Sequence, residues 1–220
     1  MLSTEEAKKY YDKFGSKQDS QGFYEDSATE MLIRHGRFEE AKSVFEFGIG
    51  TGRFAEKLLS SHLASDSHYS GVDISPTMIG LARERLRKYD GRATVQLSYG
   101  SPTLEENTNS YDRFVSNYVL DLLSEQNAVS MVEEAFRILR PDGLLCMASL
   151  TFGKTLLTRM VSSIWHAVYR INAAIVGGCR PIELTDFILE SKWATELRTT
   201  VSAFGITSEI IVARKLVVPA

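Results

Sequence analysis

The chain has 220 residues, 44% hydrophobic and 24% charged, with a formal net charge of -3. These values lie near the average of globular domains and exclude a disordered tract, a collagen-like repeat or a disulfide-stapled miniprotein. A chain of this length buries roughly 70% of its unfolded surface without a covalent staple, and its slight acidity argues against a dedicated nucleic-acid binder.

In chain order, residues 1–35 read as two helical pieces broken by a glycine and polar run around 14–21. Residues 43–48 (SVFEFG) form a buried-strand candidate, followed by 52–63, where Phe54, Leu58 and Leu59 recur at helical spacing. Residues 69–74 (YSGVDI) are a second strand. Ser75 and Pro76 then supply an N-cap and a first-turn proline to a helix carrying Met78, Ile79, Ala82 and Leu86 on one face. Residues 94–99 alternate as a third strand and 111–117 (YDRFVSN) as a fourth; between them, 100–110 is too rich in Pro, Asn, Ser and Thr for a helix. Ser124 opens an amphipathic helix ended by Pro141-Asp142-Gly143, and 144–150 is an apolar fifth strand. Residues 196–203 and 206–214, joined by Phe204-Gly205, close the pattern as an antiparallel pair. Strands alternating with helices imply crossover connections, hence an α/β fold with a mostly parallel sheet and helices on both faces. Cys146 and Cys179 fall in no metal-ligand spacing, so no metal is expected; the polar first segment lacks the apolar run of a signal peptide, so secretion is not expected, and a single cytoplasmic domain over 1–220 is.

The sharpest local feature is Glu46-Phe47-Gly48-Ile49-Gly50-Thr51-Gly52, where the first strand gives way to the first helix. Glycines there permit positive φ and close approach of a ligand to the main chain, while the helix start offers unpaired N–H groups. A dinucleotide fingerprint needs a glycine at the sixth position counted from Gly48, and that position is Arg53, which weakens a nicotinamide oxidoreductase reading. Asp73 ends the second strand 25 residues after Gly48, where an acid suits the two hydroxyls of a ribose. Gly100-Ser101-Pro102 follows the third strand, and Arg137-Ile138-Leu139-Arg140-Pro141-Asp142-Gly143 precedes the fifth.

In their E-x-G-x-G-x-G turn, strand-end acid and ordered later motifs, residues 43–150 resemble the class I S-adenosylmethionine-dependent methyltransferases, closest to their small-molecule and quinone-biosynthesis branch. The resemblance implies a Rossmann-like, doubly wound, seven-stranded sheet with an antiparallel C-terminal strand pair. It divides the chain into an N-terminal helical lid (1–42), a cofactor-binding core (43–150) and substrate-side helices with closing strands (151–220). It also implies S-adenosylmethionine as cofactor, with Glu46, Gly48, Ile49, Gly50 and Gly52 along the methionine moiety, Asp73 on the ribose, Ile74 and Met78 against the adenine, Gly100 and Ser101 at the adenine edge, and Asn117 presenting main chain to the amino group. Ser101 stands where the family commonly has an acid, which leaves the adenine contact to a weaker hydroxyl. Ile74 and Met78 read equally well as plain core, and the glycine turn alone as a structural bend.

The acceptor side is less defined. Asp121, amid Leu120, Leu122 and Leu123, is the candidate base, against the competing reading of a carboxylate favoured by a helix start. Tyr10, Tyr11, Phe14, Phe23 and Tyr24 are lid aromatics able to attract a sulfonium. Tyr11, Tyr24, Tyr118, Trp165 and Arg180 are the candidate substrate pocket, for a small-molecule acceptor of apolar or lipid-like character. In 154–176, Leu157, Met160, Val161, Ile164, Trp165, Val168, Ile171 and Ile175 share one helical face, with Lys154, Arg159 and Arg170 as the only charges. That segment reads as a helix packed on the sheet, as one lying on a membrane surface or as the roof of a pocket for a hydrophobic acceptor. Two further functions stay open: a non-catalytic binding or scaffold relative of the same fold, and a nicotinamide oxidoreductase.

Overall fold

A computed structural model describes residues 1–217, so the last three residues of the 151–220 segment lie outside the described residues. Strands β1 (Ser43–Phe47), β2 (His68–Asp73), β3 (Ala93–Leu97), β4 (Tyr111–Asn117), β5 (Leu139–Leu150), β6 (Trp193–Ala203) and β7 (Ile206–Lys215) form one sheet in the order β3-β2-β1-β4-β5-β7-β6. The first five pair in parallel, while β7 runs antiparallel to both β5 and β6. The helices are α1 (Thr4–Phe14), α2 (Gly22–His35), α3 (Arg53–Ser61), α4 (Pro76–Leu86), α5 (Glu125–Ile138) and α6 (Leu156–Ile171).

Alternation along the strands builds two apolar layers. Val44 and Val115 face a core with residues of α2, α3 and α4, whereas Phe45 and Phe114 face a second core with Met131, Ala135 and Ile138 of α5. The caps read from sequence are present: Ser75 accepts the Met78 N–H at 3.1 Å, and Ser124 accepts that of Asn127 at 3.1 Å. From β1 the chain winds to β2 and β3 on one side, then returns to β4 on the other. This reversal opens a crevice at the carboxyl ends of β1 and β4, the place where such sheets hold ligands.

Three elements differ from expectation. Pro141-Asp142-Gly143 does not separate helix from strand: β5 already pairs at Leu139 with Tyr111, and the turn is absorbed as a register shift, with Asp142 at a φ of 62°. A bulge is where a ladder tolerates proline, which has no N–H to give. Strand β6 begins at Trp193, three residues before the expected 196. Helix α6 carries seven of the eight apolar residues of the stripe, Ile175 lying in the turn after it, and divides them. Val161 and Trp165 turn partly inward, beside buried Thr158 and Ser162, while Leu157, Met160, Ile164 and Ile171 stand exposed. Helix α6 thus packs against β7 as a sheet-packing helix would, but leaves most of its apolar stripe outward. No described helix is long and apolar enough to cross a membrane.

Candidate active site

The glycine turn sits at the mouth of the crevice. The Gly48 and Ile49 N–H groups both donate to the Val72 carbonyl at 2.9 Å, and the Gly50 N–H donates to Asp73 Oδ2 at 2.9 Å. Gly48 has a φ of 81°, and a methyl group on it would run into the Val119 side chain, so both conformation and space require glycine there. Asp73 Oδ1 accepts the Ser75 N–H at 2.9 Å, and burial raises its carboxyl above the usual range. Each oxygen keeps acceptor capacity for a further donor.

A cavity of about 360 Å³ starts at Gly48, Gly50, Asp73 and Ile74, passes Gly100 and Asn117, and ends on an apolar wall that includes Leu2, Tyr11, Tyr118, Val119, Leu122 and Leu123. A smaller space of about 90 Å³ adjoins it through Gln18, Gly48, Gly50, Asn117 and Tyr118, and is lined further by Glu25, Glu46 and Ile49. Acceptors crowd this junction. Gln18 Oε1 and Asn117 Oδ1 are buried with no hydrogen-bond partner among the described residues. Glu46 is buried beneath, accepting from the Tyr69 hydroxyl at 2.7 Å, and burial pushes its carboxyl up to about 8. Burial likewise pushes Glu25 up to about 7.

Helix α1 flanks the cavity. Ala7 and Tyr11 of α1 line the cavity, and Gly100, with a φ of 82°, lets Thr4 close down on the tip of β3. Its fasteners are polar. Asp12 accepts the Ser75 hydroxyl at 2.6 Å, Asp19 accepts that of Thr51 at 2.6 Å, and Arg85 pairs with Asp19 at 2.5 Å. Among the lid aromatics, Phe23 faces away, exposed and edge-on to Phe204 at 5.3 Å.

The structure thus brings Glu46, Gly48, Ile49, Gly50, Asp73, Ile74, Gly100 and Asn117 to the two connected spaces. Gly52 instead begins α3 in the left-handed region, Met78 is fully buried core, and Ser101 is exposed, accepting the Thr103 N–H at 3.2 Å. On the acceptor side, Tyr11 and Tyr118 line the cavity, whereas Tyr24 backs them as a buried ring edge-on to Tyr118 at 5.7 Å. Trp165 and Arg180 do not line it. The Trp165 indole N–H is held by the Cys179 carbonyl at 3.0 Å, and the Arg180 guanidinium is committed to the carbonyls of Asp121 at 3.0 Å and Leu123 at 2.6 Å, so both brace the wall.

Asp121 also lies off the cavity surface, fully buried in a single 3-10 turn, Leu120–Leu122, just before the wall residues Leu122 and Leu123. Neither carboxylate oxygen has a hydrogen-bond partner among the described residues, and Asp121 sits in the first turn of its short helix, where the competing reading places it. Burial pushes it up to about 7, against the Arg180 charge that pulls it down. Sequence reasoning missed Gln18, Glu25 and Ser98, which reach the two spaces from the lid and from the end of β3 with no motif to mark them.

Residues 44–143 match the family model described as a methyltransferase domain. Over that span, a little under half of its length, the chain is similar to a methyltransferase domain. Its matched span runs from β1 through the bulge of β5, which is the part holding the glycine turn and Asp73. The chain is 29% identical over 130 residues to the non-reducing polyketide synthase mapC of Penicillium roqueforti and 31% identical over 113 residues to the arsenite methyltransferase of Halobacterium salinarum. Those matches cover 56% and 50% of this chain, and the chain spans 5% and 27% of the length of those relatives. The N-methyltransferase NodS from Bradyrhizobium japonicum shares the methyltransferase fold with a TM-score of 0.65 and 18% identity, over 90% of this chain and 99% of that one. The seven-stranded order and antiparallel C-terminal pair are those of this fold.

Proposed function

We propose that the chain transfers a methyl group from S-adenosylmethionine to a small, largely apolar acceptor. One observation carries the reading: a single cavity joins the glycine turn and Asp73 to an apolar, tyrosine-edged wall. The residues present suit the cofactor. Gln18 Oε1 and Asn117 Oδ1, unpartnered acceptors beside Gly48 and Gly50, match an ammonium group, and Asp73 has acceptor capacity for ribose hydroxyls.

Bound S-adenosylmethionine supplies a methyl already activated on a positive sulfur, ready for in-line displacement. The chain's own work is then to align the acceptor and keep the cavity dry, a contribution worth about 7 to 11 kcal/mol when the geometry is near attack. Asp73 is the lone carboxylate on the main cavity's described lining, and no imidazole reaches it, so an acceptor atom that is already electron-rich is the best served. For an acceptor bearing O–H or N–H, Asp121 is the further carboxylate beside the site, but it lies buried behind Leu122 and Leu123, so a proton would reach it only through that wall. Tyr11 and Tyr118 cannot take the proton instead, since burial raises both phenols above their ordinary value.

A second reading, a binding subunit without turnover, draws on the absence of an acid at the adenine edge, where Ser101 points to solvent. Calorimetric titration with S-adenosylhomocysteine tests the cofactor, and transfer of a labelled methyl into any acceptor of a cell extract separates enzyme from binder. No heat with either form of the cofactor would remove both readings.

A further inference from the structure

Helix α6 is amphipathic in the reverse of the usual sense. The side it turns to the protein carries buried Thr158 and Ser162 with half-buried Val161 and Trp165, whereas Leu156, Leu157, Met160, Ile164 and Ile171 are 55–89% exposed. At about 100° per residue, those five fall within one outward arc of about 100°. Ile175, in the turn after the helix, is 66% exposed. A contiguous apolar strip of this kind on a surface helix calls for a partner.

Charge says which one. Arg159 and Arg170 lie on one flank of the strip, about 20° apart around the axis, and Lys154 stands just before its first turn. None of these three cations has an acidic partner within 4.0 Å among the described residues. From residue 143 to 182 the sequence holds no Asp or Glu at all, although the whole chain carries a net -3. A strip of exposed aliphatic side chains edged by unpaired cations is complementary to an anionic bilayer, where the aliphatics enter the headgroup boundary and the arginines meet phosphate.

We propose that α6 docks this chain on anionic membranes, lying flat with Ile164 near the centre of the buried strip. The inference does not rest on the methyl-transfer reading, but it bears on it. The turn that follows α6 brings buried Gly177 against Tyr10 and Gly178 against Leu2 and Leu122, the latter two on the apolar wall of the cavity. An acceptor dissolved in the bilayer would meet the site from that side.

Co-sedimentation with vesicles decides it, using phosphatidylcholine alone and phosphatidylcholine with about 30 mol% phosphatidylglycerol. The wild-type chain is expected to pellet with the anionic vesicles, less so as salt rises, and to stay in solution with the neutral ones. Replacing both cations, Arg159→Ala with Arg170→Ala, should weaken binding about 30-fold, about five-fold for each charge, and Ile164→Glu should abolish it. Far-UV circular dichroism and the thermal midpoint, unchanged in these variants, show that the fold is intact. A wild-type chain left in the supernatant with both vesicles overturns the proposal. So does binding that Ile164→Glu leaves unaltered, or a vesicle-free dimer that Ile164→Glu dissolves, because a second copy would then cover the strip.

Discussion

The Asp73 carboxylate holds the main-chain N–H of Gly50 at 2.9 Å, tying the tip of β2 to the glycine turn that follows β1. One side chain thereby shapes the bend and presents its remaining acceptor capacity to the cavity. Asp73→Ala should weaken S-adenosylhomocysteine binding by about 10- to 100-fold, the worth of a hydrogen bond to a charged group. Asp73→Asn, which keeps one acceptor, should lose less. Equal calorimetric heats and affinities for wild type and Asp73→Ala would remove the ribose assignment.

Asp121 gives opposite pH trends for stability and rate. Its folded carboxyl stands at about 7, against about 3.9 for an unfolded aspartate. Between those values the folded chain holds more protons than the unfolded one, so this group makes stability fall as pH rises through the window. Glu25, at about 7, and Glu46, at about 8, act in the same direction. Asp121→Asn isolates the aspartate's share. Denaturant titrations should show the variant gaining on wild type as pH climbs from about 4 to about 7, by up to about 4 kcal/mol.

If Asp121 receives the acceptor's proton, turnover climbs through the same interval as the carboxyl ionises. The Asn variant should then be slower by about 100-fold or more above neutrality, with its pH profile flattened. A rate for Asp121→Asn that tracks wild type at every pH would leave Asp121 as a buried acid beside the wall and nothing more.

Two glycine substitutions should move stability in opposite directions. Gly48→Ala meets both a φ of 81° and the Val119 side chain, and should cost about 1–3 kcal/mol along with cofactor binding. Gly80, exposed in α4 with nothing near its added methyl, should gain about 0.5–1 kcal/mol as Gly80→Ala. Thermal melts of the two variants check the pair together.

Arg180→Ala releases the carbonyls of Asp121 and Leu123. A loss of about 1–3 kcal/mol is expected, with KM for the acceptor rising while affinity for S-adenosylhomocysteine stays near wild type. The reverse pattern would place Arg180 on the cofactor side.

Much of this architecture can be read from local chemistry. Ser75 before Pro76 and Ser124 before its amphipathic run each fix a boundary through a hydrogen bond made within a few residues, and the spaced glycines after SVFEF mark the strand's end by their positive φ. What escaped depends on distant contacts. Periodicity finds the apolar stripe of α6 but carries no sign for inward or outward, which is set by what Thr158, Ser162 and Trp165 meet. The bulge at Asp142 needs its partner β4, and Gln18 reaches the site only because the segment after α1 folds back across 32 residues to Gly50. Arg180 looked free to meet a substrate, and only the fold reveals the two carbonyls that occupy it.

Helix α1 covers the cavity without a single fully buried residue of its own. Its attachment at Asp12 and along the following segment at Asp19 is made of hydroxyls and charges at the protein surface rather than apolar area. Such a clasp opens at low free-energy cost and loosens as ionic strength rises. Salt thus acts on the cover of the cavity independently of the groups that line it.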